Sequence, residues 1–158
     1  MIRFFYSLLV YFLLPFTVFK LIYRGFKQPE YLKHWGERYG FYRGSTKKIW
    51  GKRKTLWMHA VSVGETKAAI PFIKLFLKKY PRHHLLITHG TPTGRATSID
   101  IKHPRITRIY LPFDTPDATQ RFLNTFKPEI GLLLETELWF NLIHQAHQRS
   151  IQIGRAHV

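Results

Sequence analysis

Residues 55–80 read TLWMHAVSVGETKAAIPFIKLFLKKY, and the fold turns on where this stretch changes its period. Thr55 to Val61 is a short apolar-rich run of strand length, while from Glu65 to Tyr80 the residues Ile70, Ile73 and Leu77 fall on one helical face. Pro71 lies near the first turns of that helix, where proline does least harm, and Pro81 stops it. A strand passing through the short turn Ser62-Val63-Gly64 into a helix is half of a βαβ unit. Glu65 stands at the junction and admits two readings, a helix cap and a catalytic base held at the end of a strand. On the residues alone the two stand even.

Outward from this unit the same texture repeats. HLLIT (84–88), TRIYL (107–111) and IGLLL (130–134) are strands, and the last, apolar throughout, is expected to be the most buried. TPDATQRFLNTF (115–126) opens with a capping threonine, a proline at the first helical position and an acid, and is expected to be a helix, as is 138–149. The polar turn HGTPTGRATS is expected to carry a short helix. Strands alternating with helices at this spacing predict an α/β fold, a Rossmann-like parallel sheet with helices on both faces, over residues 55–152. In such sheets chemistry collects in the loops beyond the carboxyl ends of the strands, here SVGE, HGTPTGR, PFDTP and ETELW. No GxGxxG or GxxxxGK[ST] occurs, and Ser62 lacks the Gly-x-Ser-x-Gly elbow, so a complete nucleotide fingerprint and a serine nucleophile are both disfavoured.

Residues 4–23, FFYSLLVYFLLPFTVFKLIY, hold one charge, Lys20. This matches the ~20 residues a helix needs to cross the ~30 Å hydrocarbon layer. Only Arg3 precedes the run, whereas residues 24–54 carry ten Lys or Arg against Glu30 and Glu37. The positive-inside bias therefore places the chain beyond the run in the cytoplasm. The run ends in Lys-Leu-Ile-Tyr-Arg without an Ala-x-Ala pattern, which disfavours a cleaved signal peptide. Residues 1–23 are read as a membrane anchor that spans the bilayer or lies partly embedded, and 24–54 as a basic juxtamembrane segment.

The chain has 158 residues, 25 Lys and Arg against 9 Asp and Glu, a formal net charge of +16 and no cysteine. One domain with a real core is expected, with no disulfide scaffold and no thiolate zinc site. Such a charge suits nucleic acid, an anionic membrane surface or a phosphorylated substrate, and its place beside the anchor favours the lipid headgroups. The nine histidines lack metal-ligand spacing: His144 and His147 lie three apart with no acidic third ligand nearby in sequence, so no metal is expected.

YLKHWGERYGFYRG, LWMHAVSVGET with AAIP, TPTG, YLPFDTPDA with RFLN, and ETELW with NLI occur in this order. The string resembles the Kdo transferases, which attach 3-deoxy-D-manno-octulosonic acid to the lipid A precursor. The resemblance runs from the anchor to about Ile151. It implies the amino-terminal, acceptor-binding domain of a GT-B glycosyltransferase at the cytoplasmic face of the inner membrane, with the CMP-Kdo donor site mostly in a carboxyl-terminal domain absent from this sequence. It implies an inverting, metal-independent and cofactor-free displacement, with no nucleic-acid partner. By the same resemblance Glu65 is the base, Glu135 assists the transition state, and Ser62, Gly64, Thr91, Thr93 and Arg95 face the substrate, Arg95 toward a lipid A phosphate. Two positions depart from the family pattern: Arg95, where the family often has another residue, and Phe140, where proline usually follows the ETELW tryptophan.

Residues 153–158, IGRAHV, match the translation of a common sequencing-library adapter, ATC GGA AGA GCA CAC GTC, and are expected to be non-native. The other reading is a native continuation, since a strand is due there and Ile151 and Ile153 suit it. Two alternatives to the transferase reading remain: a membrane-tethered basic module binding nucleic acid or anionic lipid, and another GT-B enzyme acting on a lipid-linked sugar.

Overall fold

The computed structural model describes residues 1–42, 54–134 and 139–155. Helix α1 (Ile2–Lys27) leads through a 3-10 turn (Pro29–Leu32) into the short α2 (Trp35–Arg38). There follow β1 (Thr55–His59), α3 (Val63–Lys79), β2 (His84–His89), α4 (Pro92–Ile99), β3 (Ile106–Tyr110), α5 (Pro116–Phe126), β4 (Ile130–Leu133), α6 (Phe140–Gln148) and β5 (Gln152–Arg155). The five strands form one sheet, all parallel, in the order β3-β2-β1-β4-β5.

The period-2 alternation of the central strands sorts the core into two layers. Leu56, Met58, Leu85 and Ile87 face α3 through Ala69, Ile73, Phe76 and Leu77. Trp57, Leu86 and Ile109 point the other way, against Phe122, Leu123 and Phe126 of α5 and Leu142 and Ala146 of α6. Helices thus cover both faces, as the alternation of elements predicts.

The helix boundaries obey the capping chemistry visible in the sequence. Ser62 caps α3, Thr91 caps α4 and Thr115 caps α5, each accepting an N–H three residues on, and Pro92 and Pro116 stand where a missing N–H costs nothing. The turn predicted to carry a short helix carries α4, of eight residues.

Two expectations need revision. IGLLL is not the most buried strand: β1 and β2 are buried at every position, whereas Ile130 is exposed and Leu132 only half-buried. Uniform apolarity reports what a strand can bury, but helix cover decides what it does bury: β4 is an inner strand like β1 and β2, flanked by β1 and β5, yet part of it is left uncovered. On the α3 face Ile130 and Leu132 instead border an open apolar cleft shared with Phe72, Leu75 and Phe76. The boundary between residues 54 and 55, drawn on charge, does not follow packing either. Tyr42 is buried against Phe126, Phe113 donates its N–H to the Arg38 carbonyl at 2.8 Å, and Arg121 Nε donates to the Tyr39 carbonyl at 2.9 Å. Residues 35–42 therefore belong to the α/β domain.

Candidate active site

β1 and β2 are neighbours with parallel register, so the turns leaving them lie side by side at the carboxyl edge of the sheet. The β1 turn ends in a reciprocal cap. Glu65 donates its N–H to Ser62 Oγ at 3.3 Å, and its carboxylate accepts the Ser62 N–H on Oε1 at 3.1 Å and the Val61 N–H on Oε2 at 2.8 Å. The Ser62 hydroxyl also donates to Oε1. A carboxylate offers about four lone-pair directions. Three are filled here, and the open one is on Oε2.

The β2 turn packs directly on this one. Thr91 donates its hydroxyl to the Val61 carbonyl at 3.1 Å while its oxygen accepts the Gly94 N–H at 3.2 Å. A Cβ at Gly94 would stand 2.9 Å from the Val61 carbonyl oxygen, so only glycine lets α4 approach so closely. Gly64 is different. A Cβ there would meet only Ser62 Oγ, at 3.8 Å. The space above the first turn of α3 is open, and the amino termini of α3 and α4 stand beside it, where the dipoles and unpaired N–H groups favour anionic oxygen.

Beneath these turns the strand ends are fixed by buried polar contacts. His59 Nδ1 lies 2.9 Å from Thr88 Oγ1, which also accepts from Trp57 Nε1 at 2.8 Å. His89 Nδ1 lies 3.0 Å from the Ala60 carbonyl and its Nε2 2.9 Å from Ser98 Oγ. Burial pushes the His89 imidazolium down to about 3, so the ring is neutral near pH 7. The neutral tautomer that fits these contacts carries its proton on Nδ1, and Nε2 competes with the Arg95 carbonyl, 2.8 Å from Ser98 Oγ, for the Ser98 hydroxyl proton.

Ser62, Gly64, Glu65 and Thr91 are thus brought together, and the exposed Thr93 has its Oγ1 3.3 Å from that of Thr91. Arg95 is engaged elsewhere. Its guanidinium is ion-paired with Glu37, donates to the Arg108 carbonyl at 3.0 Å and lies 4.8 Å from the Tyr110 ring centroid, with its side chain 15% exposed. A phosphate would have to displace Glu37 to reach it. Glu135 and Glu137 lie outside the described residues; the stretch that bears them leaves β4 after Leu134, whose N–H reaches the His59 carbonyl at 3.2 Å. Among the described residues no three His, Asp or Glu side chains gather as a metal cluster.

Three residues of this edge were not singled out from the sequence. Glu37 accepts the Tyr110 N–H at 2.9 Å as well as Arg95. Arg38, buried, lies 4.2 Å from the Tyr110 ring centroid and donates to the Gly90 carbonyl at 3.3 Å, and burial lowers the affinity of its guanidinium for its proton. Asp114 accepts the Asn141 N–H at 3.0 Å and the Leu142 N–H at 2.9 Å, capping α6 from another element. Burial pushes the Asp114 carboxyl up, and these bonds with that from Tyr6 oppose the rise. The available signal was an acid in a sparse setting: Glu37, one of two acids within a basic block, and Asp114 in the PFD loop after a strand.

The sequence profile of the family described as 3-Deoxy-D-manno-octulosonic-acid transferase (kdotransferase) matches residues 33–156. The chain is 35% identical over 149 residues to the 3-deoxy-D-manno-octulosonic acid transferase of Haemophilus influenzae, covering 94% of this chain and 34% of that protein. It is 40% identical over 105 residues to that of Bordetella pertussis, covering 63% of this chain and 24% of that protein. A probable mitochondrial 3-deoxy-D-manno-octulosonic acid transferase of Arabidopsis thaliana is 30% identical over 149 residues, 94% of this chain and 32% of its own. The chain spans about a third or less of the length of these relatives.

Proposed function

The chain belongs to the 3-deoxy-D-manno-octulosonic-acid transferase family, and on that premise we propose that it supplies the acceptor-binding half of a GT-B glycosyltransferase of lipopolysaccharide core biosynthesis. The donor is CMP-Kdo, bound chiefly by the part of the relatives that this chain does not span. The acceptor is the lipid A precursor, presented at the cytoplasmic face of the inner membrane. Residues 1–23 hold the protein there, and residues 55–152, with residues 35–42 packed on them, form the acceptor domain.

Glu65 takes the proton from the attacking sugar hydroxyl on Oε2, whose second lone pair is unfilled, while the hydroxyl oxygen displaces CMP at the anomeric carbon with inversion. The three hydrogen bonds from Val61 and Ser62 hold the carboxylate in place before the acceptor arrives, which is the condition for positioned proton transfer. Gly64 and Thr91 shape the space above the turn, Thr93 lines it, and the paired helix amino termini attract the phosphorylated sugar. Arg95 meets a phosphate only if Glu37 gives way. Glu135 assists the transition state from the stretch after β4. The reaction is metal-independent and takes no cofactor.

The observation that supports this reading is the Glu65 carboxylate at the strand edge, held by three hydrogen bonds with one lone-pair direction of Oε2 unfilled. The test is transfer itself. A polypeptide with this segment and the remaining length of its relatives, incubated with CMP-Kdo and lipid IVA, is expected to yield Kdo-lipid IVA. Turnover confined to another lipid-linked sugar would move the protein to a different reaction.

A further inference from the structure

We propose that α1 does not cross the bilayer but lies along its surface, one apolar arc inserted among anionic lipids and the opposite stripe bound to the α/β domain. The inference rests on the reading of α1 as a membrane-binding element, and by length and composition alone the helix suffices to span. Its contacts oppose that arrangement. Tyr6 donates its hydroxyl to Asp114 at 2.8 Å, Ser7 donates to Asn141 Oδ1 at 3.0 Å, and Tyr11 donates to Asp117 at 2.6 Å. Tyr6 also packs on Phe140, ring centroids 5.0 Å apart.

These partners are rooted in the domain. Asp114 is 3% exposed and caps α6, Asn141 is fully buried, and Asp117 opens α5. A spanning α1 would break these bonds or drag two carboxylates and an amide into hydrocarbon, where unsatisfied polar groups are strongly disfavoured. With Tyr11 held at the domain, only residues 12–23 remain to enter the membrane. At ~1.5 Å per residue they reach ~18 Å, short of the ~30 Å hydrocarbon layer.

The helix has the two faces an in-plane position needs. Tyr6, Ser7, Val10, Leu14, Thr17 and Leu21 are half-buried at three- and four-residue spacing, on the side of the helix that carries the Tyr6 and Ser7 bonds to the domain, and Gly25 is buried against Leu32. Phe4, Phe5, Leu8, Phe12, Phe16 and Phe19 are between 58% and 70% exposed. Such a row of aromatic and aliphatic side chains is stable only when something apolar covers it. Arg3 at one end and Lys20, Arg24 and Lys27 at the other bracket the row, which selects a surface rich in anionic headgroups.

The attachment points give this surface a function. Asp114 follows β3, Asp117 opens α5 and Asn141 opens α6, all at the carboxyl edge where Glu65 and Thr91 stand. The bilayer surface therefore runs beside the acceptor space. A lipid acceptor can offer its sugar to that space with its acyl chains still in the membrane.

The chain has no native cysteine, so single labels report without background. Phe4→Cys, Phe12→Cys and Phe19→Cys, each carrying a nitroxide, are reconstituted in phosphatidylethanolamine–phosphatidylglycerol vesicles, and depth is read from the ratio of collisions with oxygen and with a water-soluble nickel complex. All three labels are expected at one shallow depth, ~5–10 Å into the headgroup–acyl boundary. Phe12 near the bilayer centre, with Phe4 and Phe19 toward opposite surfaces, would overturn the in-plane position and leave membrane binding intact. Labels that all remain in water would overturn both.

Discussion

Ser62 and Glu65 cap each other: the serine oxygen accepts the glutamate N–H at 3.3 Å, and the glutamate carboxylate accepts the serine N–H at 3.1 Å. The cap and the proposed base are therefore compatible descriptions of Glu65. The cap fixes Oε1 by two bonds and Oε2 by one, and leaves one lone-pair direction of Oε2 unfilled.

The two roles separate in the variant Glu65→Gln. An amide oxygen still accepts one N–H of the turn, but the amide NH2 confronts the other, so folding is expected to lose about 1–2 kcal/mol. Transfer, measured on the family-length polypeptide well below its unfolding temperature, is expected to fall by ~10² or more through kcat. A loss of stability with kcat unchanged would leave the cap and remove the base.

Glu37 is the only carboxylate in contact with Arg95 among the described residues, in a cluster with the buried Arg38 and the half-buried Arg108 close by. Removing the acid leaves these positive charges uncompensated and the Tyr110 N–H without its acceptor. Glu37→Ala is accordingly expected to cost about 3–5 kcal/mol, against a smaller loss for Arg95→Ala, which thins the positive charge. Urea unfolding of the two variants checks the order. Equal losses would mean that the pair acts as an isolated ion pair, without the neighbouring guanidiniums.

The α/β architecture was legible because each βα junction carries its own local signal. Ser62, Thr91 and Thr115 sit at helix starts in patterns that need no tertiary context, and the strands alternate apolar sets that the two cores divide between them. What could not be read is where segments distant in sequence return. Nothing local shows that Glu37 lies beside the N–H of Tyr110, 73 residues later, or that Tyr6 reaches Asp114 across 108. The same limit explains Arg95: a basic residue in a strand-end loop looks available until the acid that holds it is placed by the fold. It also explains IGLLL, whose burial depends on its neighbours and not on its own composition.

His89 ties stability to pH. Its imidazolium is pushed down to about 3 by burial, against about 6.5 for an unconstrained histidine, so the folded state holds the neutral ring and the unfolded chain binds the proton more readily. The stabilisation is present above about pH 6.5 and is lost as pH falls from there toward 3, by about 1.4 kcal/mol per pH unit. Thermal unfolding between about pH 6 and 4 is expected to show this slope, and His89→Gln, which has no proton to take up, is expected to flatten it. An unchanged slope in the variant would assign the acid sensitivity to other groups.

Gly64 and Gly94 stand in the first turns of α3 and α4 and are expected to respond oppositely to alanine. At Gly94 the new methyl would meet the Val61 carbonyl oxygen at 2.9 Å and Thr91 Oγ1 at 3.2 Å, prising α4 off the β1 turn at a cost of about 1–3 kcal/mol. At Gly64 it would meet only Ser62 Oγ at 3.8 Å, and since alanine is the better helix former, folding is expected to gain up to about 1 kcal/mol. On the proposed reading, the same methyl fills space that the acceptor sugar would take. In the family-length polypeptide, Gly64→Ala should therefore unfold at a higher temperature and show a raised KM for the lipid acceptor. An unaltered KM would mean that the open volume above α3 is not where the acceptor binds.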